Sequence, residues 1–158
     1  MKNDDVKYIF DQVNNWLNFA EVKNGTLIAL NVALMTYVRG EKALKGTTRL
    51  SLILVLLALS VLISIKSFWP KSVKSNRDNP LFYGDIAPMD QKEYEKIISE
   101  ERTLRNHILA EIRINSQITV SKYKHFKFSL ILDIIAISIY FISKVAPLIQ
   151  IVLKLLHH

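Results

Sequence analysis

The sequence predicts an all-α integral membrane protein with about three transmembrane helices and a helical cytoplasmic layer. Three charge-poor apolar runs, at residues 24–38, 50–65 and 128–143, each approach the ~20 helical residues that cross a hydrocarbon core of ~30 Å. Residues 66–127 lie between the second and third runs and hold 12 of the 21 lysines and arginines. The second run, SLILVLLALSVLISI, has no polar stripe to face water, which disfavours a helix of a soluble bundle.

The composition of the 158-residue chain limits its chemistry. The chain has no cysteine, which removes disulfides, thiolate nucleophiles and cysteine metal sites. The sequence shows no phosphate-binding loop, nucleophile motif or paired-histidine metal spacing, so we expect no enzyme, no catalytic residue, no metal and no cofactor. The net charge of +7 favours binding to nucleic acid or to anionic lipid. Basic residues crowd the ends of the apolar runs, where they set topology, so we expect no nucleic-acid partner.

The first part of the chain is predicted to form an amphipathic helix, over residues 1–23, and then a transmembrane hairpin, over residues 24–69. Apolar residues of the first segment recur at steps of three and four. This segment either lies on the membrane surface or packs on the central helix. Gly40 and Gly46 mark the turn of the hairpin, and Pro70 stops its second helix.

The central part, residues 70–127, is predicted to hold a cytoplasmic loop and then a long helix. Two prolines and one glycine argue against regular structure over residues 71–89. Asp90 and Glu93 have the spacing of a capping box, which indicates a helix start.

The long helix is predicted to continue into the third span, within residues 128–158. Neither proline nor glycine occurs between Met89 and Ala146, so we expect an unbroken helix with a kink at Pro147. Residues 145–156 are apolar again and either extend the third span or lie at the far interface.

The distribution of basic residues predicts the topology. The N-terminal segment and central region carry 15 lysines and arginines, whereas the turn and the C-terminal segment carry six. The positive-inside rule therefore predicts a cytoplasmic N-terminus and central region and an extracytoplasmic C-terminus. Four of the six lie in the turn and weaken this prediction.

The loop sequence NPLFYGDI, residues 79–86, is the most specific local feature. Phe82 and Tyr83 offer aromatic faces on which a base can stack, and Asp85 can accept hydrogen bonds from base amino groups or ribose hydroxyls. A second interpretation is that the rings pack the loop onto the helices while Asp85 caps a turn.

Basic side chains of the long helix are candidates for holding a phosphate. The alternative explanation for them is a solvated helix face. Asn115 interrupts the apolar stripe of the helix, where an amide either sets the register between packed helices or hydrogen-bonds a ligand. The candidate nucleotide-binding residues are Asn79, Phe82, Tyr83, Asp85, Arg105, Arg113, Asn115 and Lys122.

Asp133 lies within the third apolar run, where a carboxylate is costly and is a functional candidate. Its predicted partners are Lys127 and Asn31 of the first run. The alternative is that the acid snorkels to the cytoplasmic interface. Asp133 and Asn31 are therefore the candidate functional residues within the membrane.

Four parts of the chain are distinctive when taken together: AEVKNGTLIALN (20–31), NPLFYGDI (79–86), Tyr94 and INSQITVSKY (114–123). In sequence, and in order and spacing over nearly the whole chain, they resemble the transmembrane Pycsar effector family. The family pattern falls on Glu21, Lys23, Asn79, Pro80, Phe82, Tyr83, Gly84, Asp85, Tyr94, Asn115, Lys122 and Tyr123.

The resemblance implies an antiphage abortive-infection effector in the inner membrane of a bacterium. In this family a partner nucleotide cyclase makes a cyclic pyrimidine mononucleotide, cyclic UMP or cyclic CMP, and the effector then impairs the membrane. Three spans do not enclose a pore, so we expect a homo-oligomer in contact with membrane lipid. The alternative is a ligand-independent holin-like toxin or membrane scaffold subunit controlled by a partner protein.

Overall fold

A computed structural model describes residues 3–41, 44–69 and 79–156. The regular elements of these residues are all helices, so the predicted all-α fold class is confirmed. Residues 70–78 of the predicted loop lie outside the described residues. The helices are α1 (Asn3–Gly40), α2 (Thr48–Lys66), α3 (Tyr83–Ile86), α4 (Gln91–Ser99) and α5 (Glu101–Leu156).

The predicted amphipathic segment and first apolar run form one continuous helix, α1, of 38 residues. Asp4 and Asp5 lie in its first turn, where carboxylates suit the positive end of the helix dipole. The buried positions of α1 recur in steps of seven, which is the repeat of helices packed side by side. They are Val6, Val13, Ala20 and Leu27, and also Asn24, Asn31 and Val38.

The predicted turn and second span are formed by Gly46, Thr47 and α2. Gly46 has a φ of 75°, a left-handed conformation that glycine adopts without strain. The Thr47 hydroxyl accepts a hydrogen bond from the Leu50 backbone N–H at 3.3 Å and caps α2.

Two predictions for the central region are wrong: that residues 71–89 have no regular structure, and that one unbroken helix follows them. Residues 83–86 form the helical turn α3. Asp90 caps a helix as predicted, since its Oδ1 accepts from the Glu93 backbone N–H at 2.8 Å. That helix, α4, ends at Ser99, because Glu100 has an extended backbone, with φ −86° and ψ 92°.

The predicted unbroken helix is therefore interrupted at Glu100, without any proline or glycine. The Ser99 hydroxyl donates to the Lys96 carbonyl at 2.8 Å, a side-chain bond that competes with continued helix. From Glu101 the chain runs as one 56-residue helix, α5, with Pro147 inside it. Residues 145–156 thus extend α5.

The chain divides into two compact units, which we call the polar unit (Met1–Glu21 and Trp69–Tyr123) and the apolar unit (Val22–Phe68 and Lys124–His158). In the apolar unit, α1 runs parallel to α5 and antiparallel to α2. Its core comprises Val38, Leu44, Ile53, Leu57 and Ala136.

Two helices in the described residues are long and apolar enough to cross a membrane. They are Thr48–Lys66, with a mean hydropathy of 2.4, and Glu101–Pro147, with a mean hydropathy of 2.0. Only 22% of each apolar window is buried, whereas the core helix of a soluble protein is mostly buried. The first apolar run, in α1, is not among them, because Asn24 and Asn31 lower its hydropathy. The prediction of three spans is therefore not confirmed.

Candidate functional site

Asn79 closes the NPLFYGDI loop through its backbone and joins the loop to α5 through its side chain. Its Nδ2 donates to Glu111 Oε1 at 2.6 Å. Its backbone N–H donates to Asp85 Oδ2 at 3.2 Å, and its Oδ1 accepts from the Leu81 backbone N–H at 3.0 Å. Asp85 and Glu111 therefore both bond to Asn79: the first bond closes the loop, and the second joins the start of the loop to α5.

The two aromatic rings of the loop have different environments. The rings of Phe82 and Tyr83 lie 4.8 Å apart between centroids, tilted by 45°. Phe82 is half-buried, whereas Tyr83 is 81% exposed. A Cβ at Gly84 would lie 2.6 Å from Phe82 Cε1, so the ring position requires glycine there. Tyr83 thus presents a free aromatic face, and the second interpretation of the loop fits Phe82 and Asp85 only.

Two other candidates, Asn115 and Lys122, contact α1 within the polar unit. Asn115 Nδ2 donates to Asn14 Oδ1 at 2.9 Å. Lys122 is only 8% exposed, and its Nζ lies 2.9 Å from Glu21 Oε1. The two contacts pair α1 and α5 in parallel, and they show that the N-terminal half of α1 packs on the central helix.

The three basic candidates lie at separate positions along α5. Arg105 lines a groove of about 210 Å³ beside Asp4, Lys7 and Glu101. Arg113 is exposed. Because α5 rises about 1.5 Å per residue, Arg105 and Lys122 are about 25 Å apart, too far for one mononucleotide phosphate.

Arg113 also projects away from the contact between the loop and α5. It follows Glu111 by two positions, which is a rotation of about 200° around the helix axis. The structure therefore brings Asn79, Phe82, Tyr83 and Asp85 together and leaves the basic candidates elsewhere. Glu111 was missed by the sequence analysis, since no local pattern places it beside a loop 32 positions earlier.

Within the apolar unit, five fully or almost fully buried polar side chains form what we call the polar seam. Asn31 Nδ2 donates to Ser60 Oγ at 2.9 Å and to Asp133 Oδ2 at 3.3 Å. Ser60 Oγ donates to the carbonyl of Ser129 at 3.1 Å, and Ser129 Oγ donates to the carbonyl of Ser60 at 3.0 Å. Ser64 Oγ donates to Ser129 Oγ at 3.0 Å.

The predicted contact between Asp133 and Asn31 is therefore present. Asp133 is 2% exposed, so it does not snorkel, and the other predicted partner, Lys127, lies exposed on α5. The serines of the seam were missed. Their signal was a spacing of four residues within apolar runs, as in Ser60 and Ser64, which places polar atoms on one helix face.

A second polar contact of the apolar unit lies farther along α5. The Tyr140 hydroxyl donates to the Tyr37 hydroxyl at 3.3 Å, and Lys144 forms an ion pair with Glu41. The Lys144 ammonium also lies 5.7 Å from the centroid of the Tyr140 ring. These contacts continue the parallel pairing of α1 with α5 in this unit.

The all-α fold and the two helices long and apolar enough to cross a membrane indicate the class: a helical membrane protein. The family model of the Pycsar effector protein domain matches residues 5–149. The match covers most of the chain, so the protein belongs to the Pycsar effector family, as the resemblance implied, and is an antiphage effector. No curated protein and no solved structure matches it.

Proposed function

We propose that the protein impairs the bacterial inner membrane when a partner cyclase makes a cyclic pyrimidine mononucleotide, cyclic UMP or cyclic CMP. The observation that carries the proposal is the match to the effector domain, which extends over both units. Infected cells would then stop growing or die before the phage completes its cycle.

The loop NPLFYGDI is the proposed sensing site. Tyr83 offers an exposed ring to a base, and stacking of this kind tolerates different bases. The carboxylates of Asp85 and Glu111 lie at the loop and supply acceptors for base amino groups or ribose hydroxyls. The base and the ribose of the nucleotide would therefore face the loop.

A phosphate contact needs a positively charged partner, and the structure separates the three basic candidates, Arg105, Arg113 and Lys122, from the loop. Arg113 is exposed but projects to another side of α5. In a homo-oligomer, Arg113 of one copy can contact a ligand held by the loop of another. Lys122 can contribute only by exchanging its contact with Glu21 for the phosphate, which would loosen α1 from α5 in the polar unit.

The membrane action is proposed to follow from movement of α1 and α5. Each helix continues from the polar unit into the apolar unit, so a shift of either helix is carried along its own backbone. Three helices per copy do not enclose a pore, which is why a homo-oligomer in lipid is proposed. In the apolar unit α2 runs opposite to α1 and α5, as three successive crossings of a membrane require.

The proposal is tested by titrating purified protein in detergent with cyclic UMP, cyclic CMP, cyclic AMP and cyclic GMP in a calorimeter. We expect the protein to bind cyclic UMP or cyclic CMP. We also expect dye to enter cells that express the protein with an active cyclase. No nucleotide binding, with growth arrest in cells that lack a cyclase, would support the ligand-independent toxin instead.

A further inference from the structure

Two side-chain oxygens of the polar seam have no hydrogen-bond partner although both are buried. They are Asp133 Oδ1 and Asn31 Oδ1, and they belong to the two residues that already share one hydrogen bond, from Asn31 Nδ2 to Asp133 Oδ2. A buried acceptor that meets no donor is destabilising, most of all when it carries a charge. The seam therefore lacks a donor at this point.

The donors of the seam are already committed. The amide of Asn31 has two hydrogens, and they serve Ser60 Oγ and Asp133 Oδ2. Each serine hydroxyl has one hydrogen, and those of Ser60, Ser64 and Ser129 all serve other atoms of the seam. A Ser60 hydroxyl turned toward Asp133 would abandon the Ser129 carbonyl and would still leave Asn31 Oδ1 unmet.

No charged residue occurs in the helix segments packed around Asp133. The stretch 24–38 of α1 has Tyr37 as its one titratable residue, and the stretch 50–65 of α2 has none. On α5 the nearest titratable residues are Lys127 and Tyr140, about 9 and 10 Å away along the helix axis. The Tyr140 hydroxyl bonds to that of Tyr37.

We propose that Asp133 is a proton-binding site, and that the packed apolar unit holds its carboxyl group in the neutral form. A proton taken from water onto Oδ1 turns that oxygen into a donor, and Asn31 Oδ1 is the acceptor it lacks. Asn31 Nδ2 already donates in the opposite direction. The acid and the amide then share two reciprocal hydrogen bonds, so one proton satisfies both oxygens.

The proton also gives the seam two states. With the proton bound, α1 and α5 are joined in the apolar unit by a neutral pair. When the proton leaves, a carboxylate remains whose Oδ1 has no donor in an apolar surrounding, and separation of the helices lets water or lipid headgroups reach it. The inference concerns the seam alone and does not depend on nucleotide sensing.

Infrared spectroscopy tests this proposal directly, because a carboxylic acid and a carboxylate absorb at different frequencies. The full-length protein would be labelled with carboxyl-¹³C aspartate, reconstituted in liposomes and measured at neutral pH in buffers with and without sodium and potassium. We expect one labelled acid band per chain, which Asp133→Asn removes. Asn31→Leu should shift the band to higher frequency, because the acid loses its acceptor.

The matched control is Asp90→Asn, at an exposed helix cap, which should leave the acid band unchanged. A spectrum with no acid band at neutral pH would overturn the proposal, and so would an acid band that appears only when sodium and potassium are removed, since a cation would then occupy the site. If Asp133→Asn fails to fold, the shift of the acid band in Asn31→Leu still decides, because only an acid that bonds to Asn31 responds to the loss of that acceptor.

Discussion

The exposed ring of Tyr83 makes the sharpest prediction about sensing. Because the side chain is 81% exposed, Tyr83→Ala should change the free energy of unfolding by less than about 0.5 kcal/mol. Stacking of a base on an aromatic ring contributes ~1–3 kcal/mol. Since each ~1.4 kcal/mol is tenfold in affinity, Tyr83→Ala should weaken nucleotide binding by roughly five- to 150-fold. Titration calorimetry of the folded oligomer measures the affinity, and thermal unfolding measures the stability.

The matched control is Phe82→Ala in the same loop. Phe82 is half-buried and its ring occupies the space that a Cβ at Gly84 would need, so its removal should lower the melting temperature more than Tyr83→Ala does. The reasoning is refuted if Tyr83→Ala binds the nucleotide as the wild type does, or if it lowers the melting temperature as much as Phe82→Ala. Either result would assign Tyr83 to packing of the loop.

Three further predictions concern the membrane part, the ion pair and the topology. Asp133→Leu should leave the protein inserted but weaken dye entry and growth arrest, and unchanged arrest would remove Asp133 from the mechanism. Glu21→Ala should destabilise the protein by about 1–3 kcal/mol, because the buried Lys122 ammonium loses this carboxylate. Lys122→Met should cost less, since the half-exposed Glu21 can turn to water; equal melting temperatures would contradict this. Reporter fusions should place the N-terminus in the cytoplasm and the C-terminus outside it, and a cytoplasmic C-terminus would exclude three crossings.

Several features of the fold were predictable because they depend on neighbours in the chain. The apolar run at residues 50–65 gives α2 nearly its observed bounds, and Asp90 caps a helix as its spacing to Glu93 indicates. Asn31 was a predicted partner of Asp133, because few polar residues interrupt the apolar runs. The family resemblance rested on short segments that are also local.

The break at Glu100 shows the limit of local patterns. The sequence predicts a continuous helix here, because proline and glycine are the strongest local breakers and neither is present. The structure ends α4 at Ser99, where a side-chain hydrogen bond to a helix carbonyl and an extended residue replace the regular pattern. Helix propensity is a weak preference, and small side-chain effects change it.

The sequence by itself determined that the chain is helical and that one carboxylate lies among apolar residues. It predicted about three membrane crossings, whereas two helices of the described residues are long and apolar enough to cross. Only the tertiary structure decided which groups meet: Asn79 with Glu111, Asn14 with Asn115, and Asn31 with Ser60 and Asp133. The physical reason is range. Periodicity and caps act over a few residues, whereas these partners are 29 to 102 positions apart and depend on how whole helices pack.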